Sequence, residues 1–184
     1  MPVATTALAG VLLAHQPTHE DDRGFFRQTS VLAELAEALG REPRFVQANH
    51  ARSAPGVLRG FHAEPWDKLV YVARGRVMAA VVDLRVDSPS FGEHFAVELG
   101  DGTARPRLFV PQGVGNAYCV LGDDPADYLY DVTQVWRPGV DKRAVRHDDP
   151  DVGVSWPITD PVLSDEDRSA PSLRERFPDH PSLR

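Results

Sequence analysis

Residues 69–84 read LVYVARGRVMAAVVDL, two short apolar runs (69–73 and 76–84) on either side of a turn at Gly75. Short apolar runs that are bounded by Gly, Pro or Asp are typical of β-strands. The pattern recurs along the chain and predicts further strands at 45–50, 56–62, 93–99, 107–110, 117–121 and 128–136. About eight short strands at this spacing predict an all-β barrel or jelly roll.

One segment has helical periodicity. Between residues 30 and 39, leucine and alanine recur at helical spacing, and Gly40 follows as a typical helix end. From Arg137 the chain becomes rich in Pro, Asp and Arg, so we expect residues 137–184 to form loops and short helices packed on the barrel. No linker is visible, and we expect residues 1–184 to form a single domain.

The composition argues against several classes of protein. The formal charge of −7 argues against a nucleic-acid-binding surface, because such a surface needs clustered Lys and Arg. The single cysteine, Cys119, lies in an apolar, strand-like setting, where we expect a buried structural thiol in a reducing compartment. No stretch approaches the roughly 20 apolar residues of a membrane helix. We therefore expect a cytoplasmic protein that binds neither nucleic acid nor membrane.

Several clusters could carry chemistry, and the first is DDRGFF at residues 21–26, where Arg23 precedes a glycine and two aromatic residues. The pattern alone favours a turn followed by a strand that buries both phenylalanines. A second candidate is Lys68, which enters the apolar run 69–73. For this residue the pattern slightly favours a lysine on an edge strand over a cation aimed into a pocket.

Polar residues also lie within predicted strands. Alternation places Gln47 and Asn49 on one strand face, which is unusual for a core and usual for a ligand-binding barrel interior. Arg59 and His62 have opposite parity, so both can face that interior only if Gly60 hosts a bulge. Strict alternation gives a further set one common face, which either packs a polar core or lines a cavity: Tyr128, Tyr130, Val132, Gln134 and Trp136.

A metal site is not legible in the sequence. The chain has seven histidines, but His50 and His62 are the only pair close together on predicted strands, and no His-x-His occurs. We therefore expect no metal.

Taken in order, these clusters resemble the dTDP-4-dehydrorhamnose 3,5-epimerase family. The resemblance covers most of the chain and rests on segments in the family's order and spacing: 22–26, 45–50, 56–62, 67–70, 82–85, 88–92, 110–113, Tyr130 with its strand, and 163–167. It implies a cupin double-stranded β-helix (jelly roll) with a few short helices, usually a homodimer with exchanged strands, and no metal or dissociable cofactor. The implied reaction is epimerisation of dTDP-4-keto-6-deoxyglucose at C3 and C5 through an enolate.

The resemblance also implies roles for individual residues. His62 matches the catalytic base, Asp167 the carboxylate that orients it, and Tyr130 the general acid. Lys68 matches a contact near the sugar ketone. The other matched positions contact the nucleotide and the phosphates: Arg23, Phe26, Gln28, Gln47, Asn49, Arg59 and Trp136.

The chain departs from the family pattern at two positions. Asn116 stands where most members have histidine, and we count it among the substrate-binding residues because it can donate a hydrogen bond but not relay a proton near pH 7. Trp136 replaces a usual tyrosine. These departures keep open an epimerase that acts at C3 or C5 alone. A non-catalytic nucleotide-sugar-binding cupin and a metal-dependent cupin of another chemistry are the remaining alternatives.

Overall fold

A computed structural model describes residues 3–183 of the chain. Its strands are β1 (Val3–Thr5), β2 (Leu12–Ala14), β3 (His19–Asp21), β4 (Gly24–Phe26), β5 (Gln47–Ser53), β6 (Leu58–His62), β7 (Lys68–Arg74), β8 (Arg76–Asp83), β9 (His94–Gly100), β10 (Arg107–Val110), β11 (Val114–Leu121) and β12 (Ala126–Val132). Its helices are α1 (Leu32–Leu39), α2 (Asp165–Arg168) and α3 (Leu173–Arg176), with a 3₁₀ turn at Pro181–Leu183.

Two antiparallel sheets face each other across the main core. The six-stranded sheet has the order β1-β2-β10-β7-β12-β5, and the four-stranded sheet has the order β6-β11-β8-β9. Because side chains alternate along each strand, one face of each sheet supplies the apolar residues between them. Both sheets contribute buried side chains to this core, among them Val70, Val72, Leu108, Tyr128, Val77, Ala79, Leu99 and Tyr118. The architecture confirms the prediction of an all-β jelly roll.

Segments outside the two sheets cover their outer faces. Leu35 of α1 packs with Leu69 and Phe109 on the six-stranded sheet. On the four-stranded sheet, the C-terminal segment packs against Phe61, whose backbone exchanges two hydrogen bonds with Val145. This second contact brings the C-terminal segment, which carries α2, alongside β6.

The predicted strand 128–136 is too long. β12 ends at Val132, because from Thr133 onward the backbone hydrogen bonds leave the sheet. The Thr133 N–H donates to the Asp67 carbonyl oxygen at 3.2 Å, and the Trp136 N–H donates to the Gln47 side chain at 2.9 Å. The prediction that Gln134 and Trp136 continue the face of Tyr128 is therefore wrong. β1 and β2 escape prediction because strands of three residues carry almost no periodicity.

The structure also bears on the predicted helix, the single cysteine and membrane-spanning segments. α1 begins at Leu32 rather than at residue 30 and ends at Leu39, as predicted. The following Gly40 has the left-handed conformation (φ 65°) that favours glycine. Cys119 is fully buried, and burial raises the pKa of its thiol to about 11, which confirms a structural thiol. Within residues 3–183 there is no helix with the length and apolar character needed to cross a membrane.

Candidate active site

A cavity of about 340 Å³ opens between the two sheets. Strands of both sheets and helix α2 supply its walls. Most of the predicted site residues line it: Gln47, Asn49, Arg59, His62, Lys68, Asn116, Tyr130, Trp136 and Asp167. Residues that are far apart in sequence therefore meet at one concave site.

A bulge in β6 lets Arg59 and His62 face the same cavity. In the β6–β11 ladder, His62 pairs with Asn116 and Arg59 pairs with Tyr118, so β6 has one more residue than β11 between these pairs. Gly60 lies in the bulge with φ 107°, and the Gly60–Phe61 peptide is cis. A Cβ at residue 60 would lie 2.4 Å from the Asn116 carbonyl oxygen. The prediction of a bulge at Gly60 is thus confirmed.

His62 is held by a carboxylate from the C-terminal segment. Its Nε2 lies 2.6 Å from Asp167 Oδ1, across 105 residues of sequence. Asp167 is buried on α2, and its backbone N–H donates to Ser164 Oγ, which caps that helix. Burial alone would raise the pKa of Asp167, but its hydrogen bonds with His62 and Ser164 outweigh burial and lower this pKa. The Asp167 carboxylate therefore stays charged and accepts from Nε2–H, which leaves Nδ1 as the basic nitrogen.

Tyr130 reaches the cavity from the opposite sheet. Burial raises the pKa of its phenol, and the negative charge of Glu64 raises it further, so the hydroxyl keeps its proton at neutral pH. The ammonium of Lys68 lies 5.7 Å from the centre of the Tyr130 ring.

Lys68 is a buried interior residue. β7 lies between β10 and β12 in the six-stranded sheet, so the interpretation of Lys68 as an edge residue is wrong. Its Nζ lies 2.5 Å from Glu64 Oε2, and the two side chains are only 7% and 10% exposed. Opposite charge makes this burial tolerable, because an unpaired buried ammonium would be costly.

Tyrosine hydroxyls fix two further polar side chains at the site. The buried Tyr128 hydroxyl donates to Asn116 Oδ1 at 3.1 Å. Tyr118 stacks on Tyr128 with 3.9 Å between ring centres, and its hydroxyl lies 2.9 Å from Ser53 Oγ. Ser53 Oγ in turn accepts from Arg59 Nε at 3.0 Å. This network orients both the amide of Asn116 and the guanidinium of Arg59.

Sequence reasoning missed several residues of this site. Glu64 lies in the connection between β6 and β7, and Lys142 lies in the segment between β12 and α2, where no periodicity marks them. Glu166 directly precedes Asp167. Lys142 pairs with Glu166 at the cavity wall, with 3.1 Å between Nζ and Oε2. Tyr118 could have been found, because alternation along β11 places it on the same face as Asn116.

The structure does not bring Arg23, Phe26 and Gln28 to the cavity of their own chain. Arg23 and Phe26 lie on the β3–β4 hairpin, a separate two-stranded sheet, and all three residues are exposed. Phe25 and Phe26 are 55% and 71% exposed, so the interpretation of a strand that buries both phenylalanines is wrong. The reason is that, within residues 3–183, neither phenylalanine belongs to any of the buried apolar clusters.

Metal ligands are not clustered in the described part of the chain. Among residues 3–183, no group of three or more His, Cys, Asp or Glu side chains could hold a metal ion. His50 faces outward and lies 2.9 Å from Asp127, which Arg52 also contacts.

Comparison with known proteins finds close similarity over nearly the whole chain. A profile of the family described as dTDP-4-dehydrorhamnose 3,5-epimerase matches residues 5–175. The dTDP-4-dehydrorhamnose 3,5-epimerase of Methanothermobacter thermautotrophicus is 37% identical over 176 residues, which cover 92% of this chain and 93% of that relative.

Two solved structures show the same architecture. NovW, a 4-keto-6-deoxy sugar epimerase from the novobiocin biosynthetic gene cluster of Streptomyces spheroides, matches with a TM-score of 0.89 at 32% identity, over 94% of this chain and 87% of NovW. ChmJ, a 3'-monoepimerase from Streptomyces bikiniensis in complex with dTDP-quinovose, matches with a TM-score of 0.85 at 30% identity, over 94% of this chain and 89% of ChmJ. The likeness therefore extends to a protein, ChmJ, that is described as acting at one centre.

Proposed function

Since the chain belongs to the dTDP-4-dehydrorhamnose 3,5-epimerase family, we propose that it epimerises dTDP-4-keto-6-deoxyglucose at C3 and C5. The observation that carries this proposal is the meeting of His62, Asp167 and Tyr130 at one cavity between the sheets. His62 belongs to the four-stranded sheet and Tyr130 to the six-stranded sheet. A sugar ring between them has a base on one face and a proton donor on the other.

The reaction proceeds by removal and return of a proton beside the ketone. The C3–H and C5–H bonds are acidic because the enolate that forms spreads its charge onto the C4 oxygen. Nδ1 of His62 takes the proton, and Asp167 stabilises the imidazolium that results. Lys68 stabilises the enolate oxygen. The Tyr130 hydroxyl then gives its proton to the carbon from the other face, which inverts that centre.

The proposed reaction has few other requirements. It transfers protons only, and the substrate's own ketone acidifies the C–H bonds, so neither a metal nor a dissociable cofactor takes part. The single, buried cysteine supports our prediction of a cytoplasmic location.

The diphosphate needs cations, and one chain supplies few that are free. Both lysines at the cavity are paired, Lys68 with Glu64 and Lys142 with Glu166. In the part of the chain that the structure describes, the Arg59 guanidinium has only its Nε hydrogen-bonded, to Ser53. Arginine suits phosphate because its planar guanidinium offers several donors.

We propose a homodimer in which the β3–β4 hairpin completes the cavity of the partner. The hairpin carries the exposed Phe26 and Arg23, whose guanidinium pairs with Asp21 but whose side chain is 89% exposed. In this arrangement Arg23 contributes a second cation for the diphosphate, and Phe26 and Gln28 contact the nucleoside. Trp136 at the cavity and Phe26 provide aromatic faces for the base.

Proton exchange with solvent tests the function directly. The protein is incubated with dTDP-4-keto-6-deoxyglucose in deuterated water, and the sugar is followed by NMR. We expect deuterium at both C3 and C5. Absence of label at both carbons would contradict the proposed activity and leave the non-catalytic nucleotide-sugar-binding cupin.

A single-centre epimerase is the second candidate. Asn116 lies directly opposite His62 in the β6–β11 ladder, where it cannot relay a proton, and the similar ChmJ is a 3'-monoepimerase. The same NMR experiment separates the candidates, because a single-centre enzyme labels C3 or C5 alone.

A further inference from the structure

Glu64 is a buried charged group of the cavity for which the proposed mechanism gives no role. It lies in the connection between β6 and β7, lines the cavity and is nearly buried. Its Oε2 lies 2.5 Å from Lys68 Nζ. In the proposed mechanism the Lys68 ammonium stabilises the enolate. A neighbouring carboxylate that only neutralised the charge of this ammonium would weaken that stabilisation.

The donor and acceptor capacity of this pair exceeds what the pair itself uses. An ammonium has three donors, and an ionised carboxylate has about four acceptor positions on two oxygens. One contact joins Lys68 and Glu64, so donors remain on the former and acceptors on the latter. Glu64 lines the same cavity as Tyr130, and its charge helps to raise the pKa of that phenol.

The pair matches the chemistry of an α-hydroxyketone. In the substrate the C4 carbonyl oxygen accepts hydrogen bonds, and the hydroxyl on the neighbouring C3 donates one. A donor and an acceptor that are themselves a hydrogen-bond length apart fit two oxygens on adjacent carbons. We propose, resting on the function proposed above, that Glu64 is a specificity-determining residue that accepts a hydrogen bond from the C3 hydroxyl while Lys68 donates to the C4 ketone. The enzyme thereby selects 4-keto sugars that carry a hydroxyl at C3.

Binding of two matched ligands tests this selection. Calorimetry is done in the His62→Asn background, so that the ketone is not epimerised during the titration. The ligands are dTDP-4-keto-6-deoxyglucose and its 3-deoxy analogue. Loss of the hydroxyl should raise Kd about 10- to 100-fold, as for a hydrogen bond to a charged group. In the His62→Asn/Glu64→Met double variant, the two ligands should bind with nearly equal Kd.

Further variants make the test specific to Glu64. Glu64→Gln keeps an acceptor without the charge, so the ratio of the two Kd values should fall to an intermediate level, and this variant also serves if Glu64→Met does not fold. Glu166→Gln changes another carboxylate of the same cavity and should keep the full ratio. Two outcomes would overturn the inference: a ratio of the two Kd values near one in the His62→Asn protein, or an undiminished ratio when a Glu64 substitution is added. Failure of the proposed function appears separately, as absence of deuterium exchange by the unmodified protein.

Discussion

At the scale of single residues, the imidazole of His62 lies between a buried carboxylate and the open cavity. This arrangement sets the tautomer, because the Asp167 carboxylate accepts from Nε2–H. The expected effect of substituting each residue of the site follows from its chemical role. A base that breaks a C–H bond contributes to the barrier itself, whereas an amide that holds the substrate contributes mainly to binding.

His62→Ala should therefore lower the rate of deuterium exchange by about 10²- to 10⁴-fold at both carbons. Gln47→Ala, a change on the same cavity wall, should impair the enzyme much less and mainly raise KM. NMR exchange rates over a range of substrate concentrations give kcat and KM for both variants. Equal losses of kcat in the two variants would contradict the role of His62 as the base.

The residues of this site differ in how far sequence predicts them. His62, Tyr130 and Asp167 lie in recognisable motifs, and the structure brings them to one cavity. Glu64 has no such signal, because its importance comes from the proximity of Lys68 in three dimensions. Lys68 itself was ambiguous, since only the order of strands in the sheet shows that β7 is not an edge.

At the scale of elements, the bulge in β6 controls which side chains share the cavity. Gly60→Ala would place a Cβ 2.4 Å from the Asn116 carbonyl oxygen and force alanine to φ 107°. We expect a loss of about 1–3 kcal/mol in the free energy of unfolding from backbone strain alone, and more from the clash. Urea denaturation measures this loss.

Gly122→Ala is the matched control for the bulge. Gly122 has φ 77°, and a Cβ there meets nothing within 4 Å, so it tests the cost of positive φ without a clash. Gly60→Ala should be the more destabilising of the two and should also lower activity, because Arg59 and His62 change their relative position. Equal effects on stability and activity would show that the bulge does not set the site geometry.

The turn after β8 depends on the ionised carboxylate of Asp83. Burial alone would raise the pKa of Asp83, but hydrogen bonds from Arg85, Ser88 and Ser90 outweigh it and lower the pKa from 3.8 to about 2. A lowered folded-state pKa stabilises the protein above the unfolded value, and this contribution is lost as pH falls.

The free energy of unfolding should therefore decrease between pH 4 and pH 2 by about 2 kcal/mol through Asp83 alone. Asp83→Asn should be less stable at pH 7 and should lack this part of the acid dependence. Denaturant titrations across that pH range compare the two proteins. An identical pH slope in both would contradict the assignment to Asp83.

The boundaries of strands and helices were predictable where several neighbouring residues share one pattern. β8 and β10 carry enough apolar residues to be located within one or two positions, and Gly40 ends α1. The end of β12 was not predictable, because Gln47 and Asp67, which accept the next backbone hydrogen bonds, lie far away in sequence.

At the scale of the whole molecule, the proposed dimer rests on the exposed β3–β4 hairpin, which does not line the cavity of its own chain. The jelly roll was predictable from the number and spacing of strands. The exposure of Phe25 and Phe26 was not, because local sequence does not say whether another layer covers a hairpin.

Complementation tests the proposed dimer. Arg23→Glu and His62→Ala should each be nearly inactive alone, but co-expression of the two chains should restore activity. A mixed dimer then has one cavity with both native residues, and random pairing gives about a quarter of all sites intact. Sedimentation analysis checks that dimers form. Dimers without recovery of activity would show that Arg23 serves its own chain or none.

The position of His62 and Tyr130 on opposing sheets has a consequence for stereochemistry. If proton removal and return occur from the two sides of the jelly roll, the configuration of the product is fixed by the architecture and not by the identity of either side chain. Substitutions that keep a base on one wall and a donor on the other would then slow the enzyme without changing the handedness of what it makes, whereas loss of the Tyr130 donor would allow proton exchange without inversion. An enzyme that returned the proton to the side from which it came would need its donor on a different wall of the barrel.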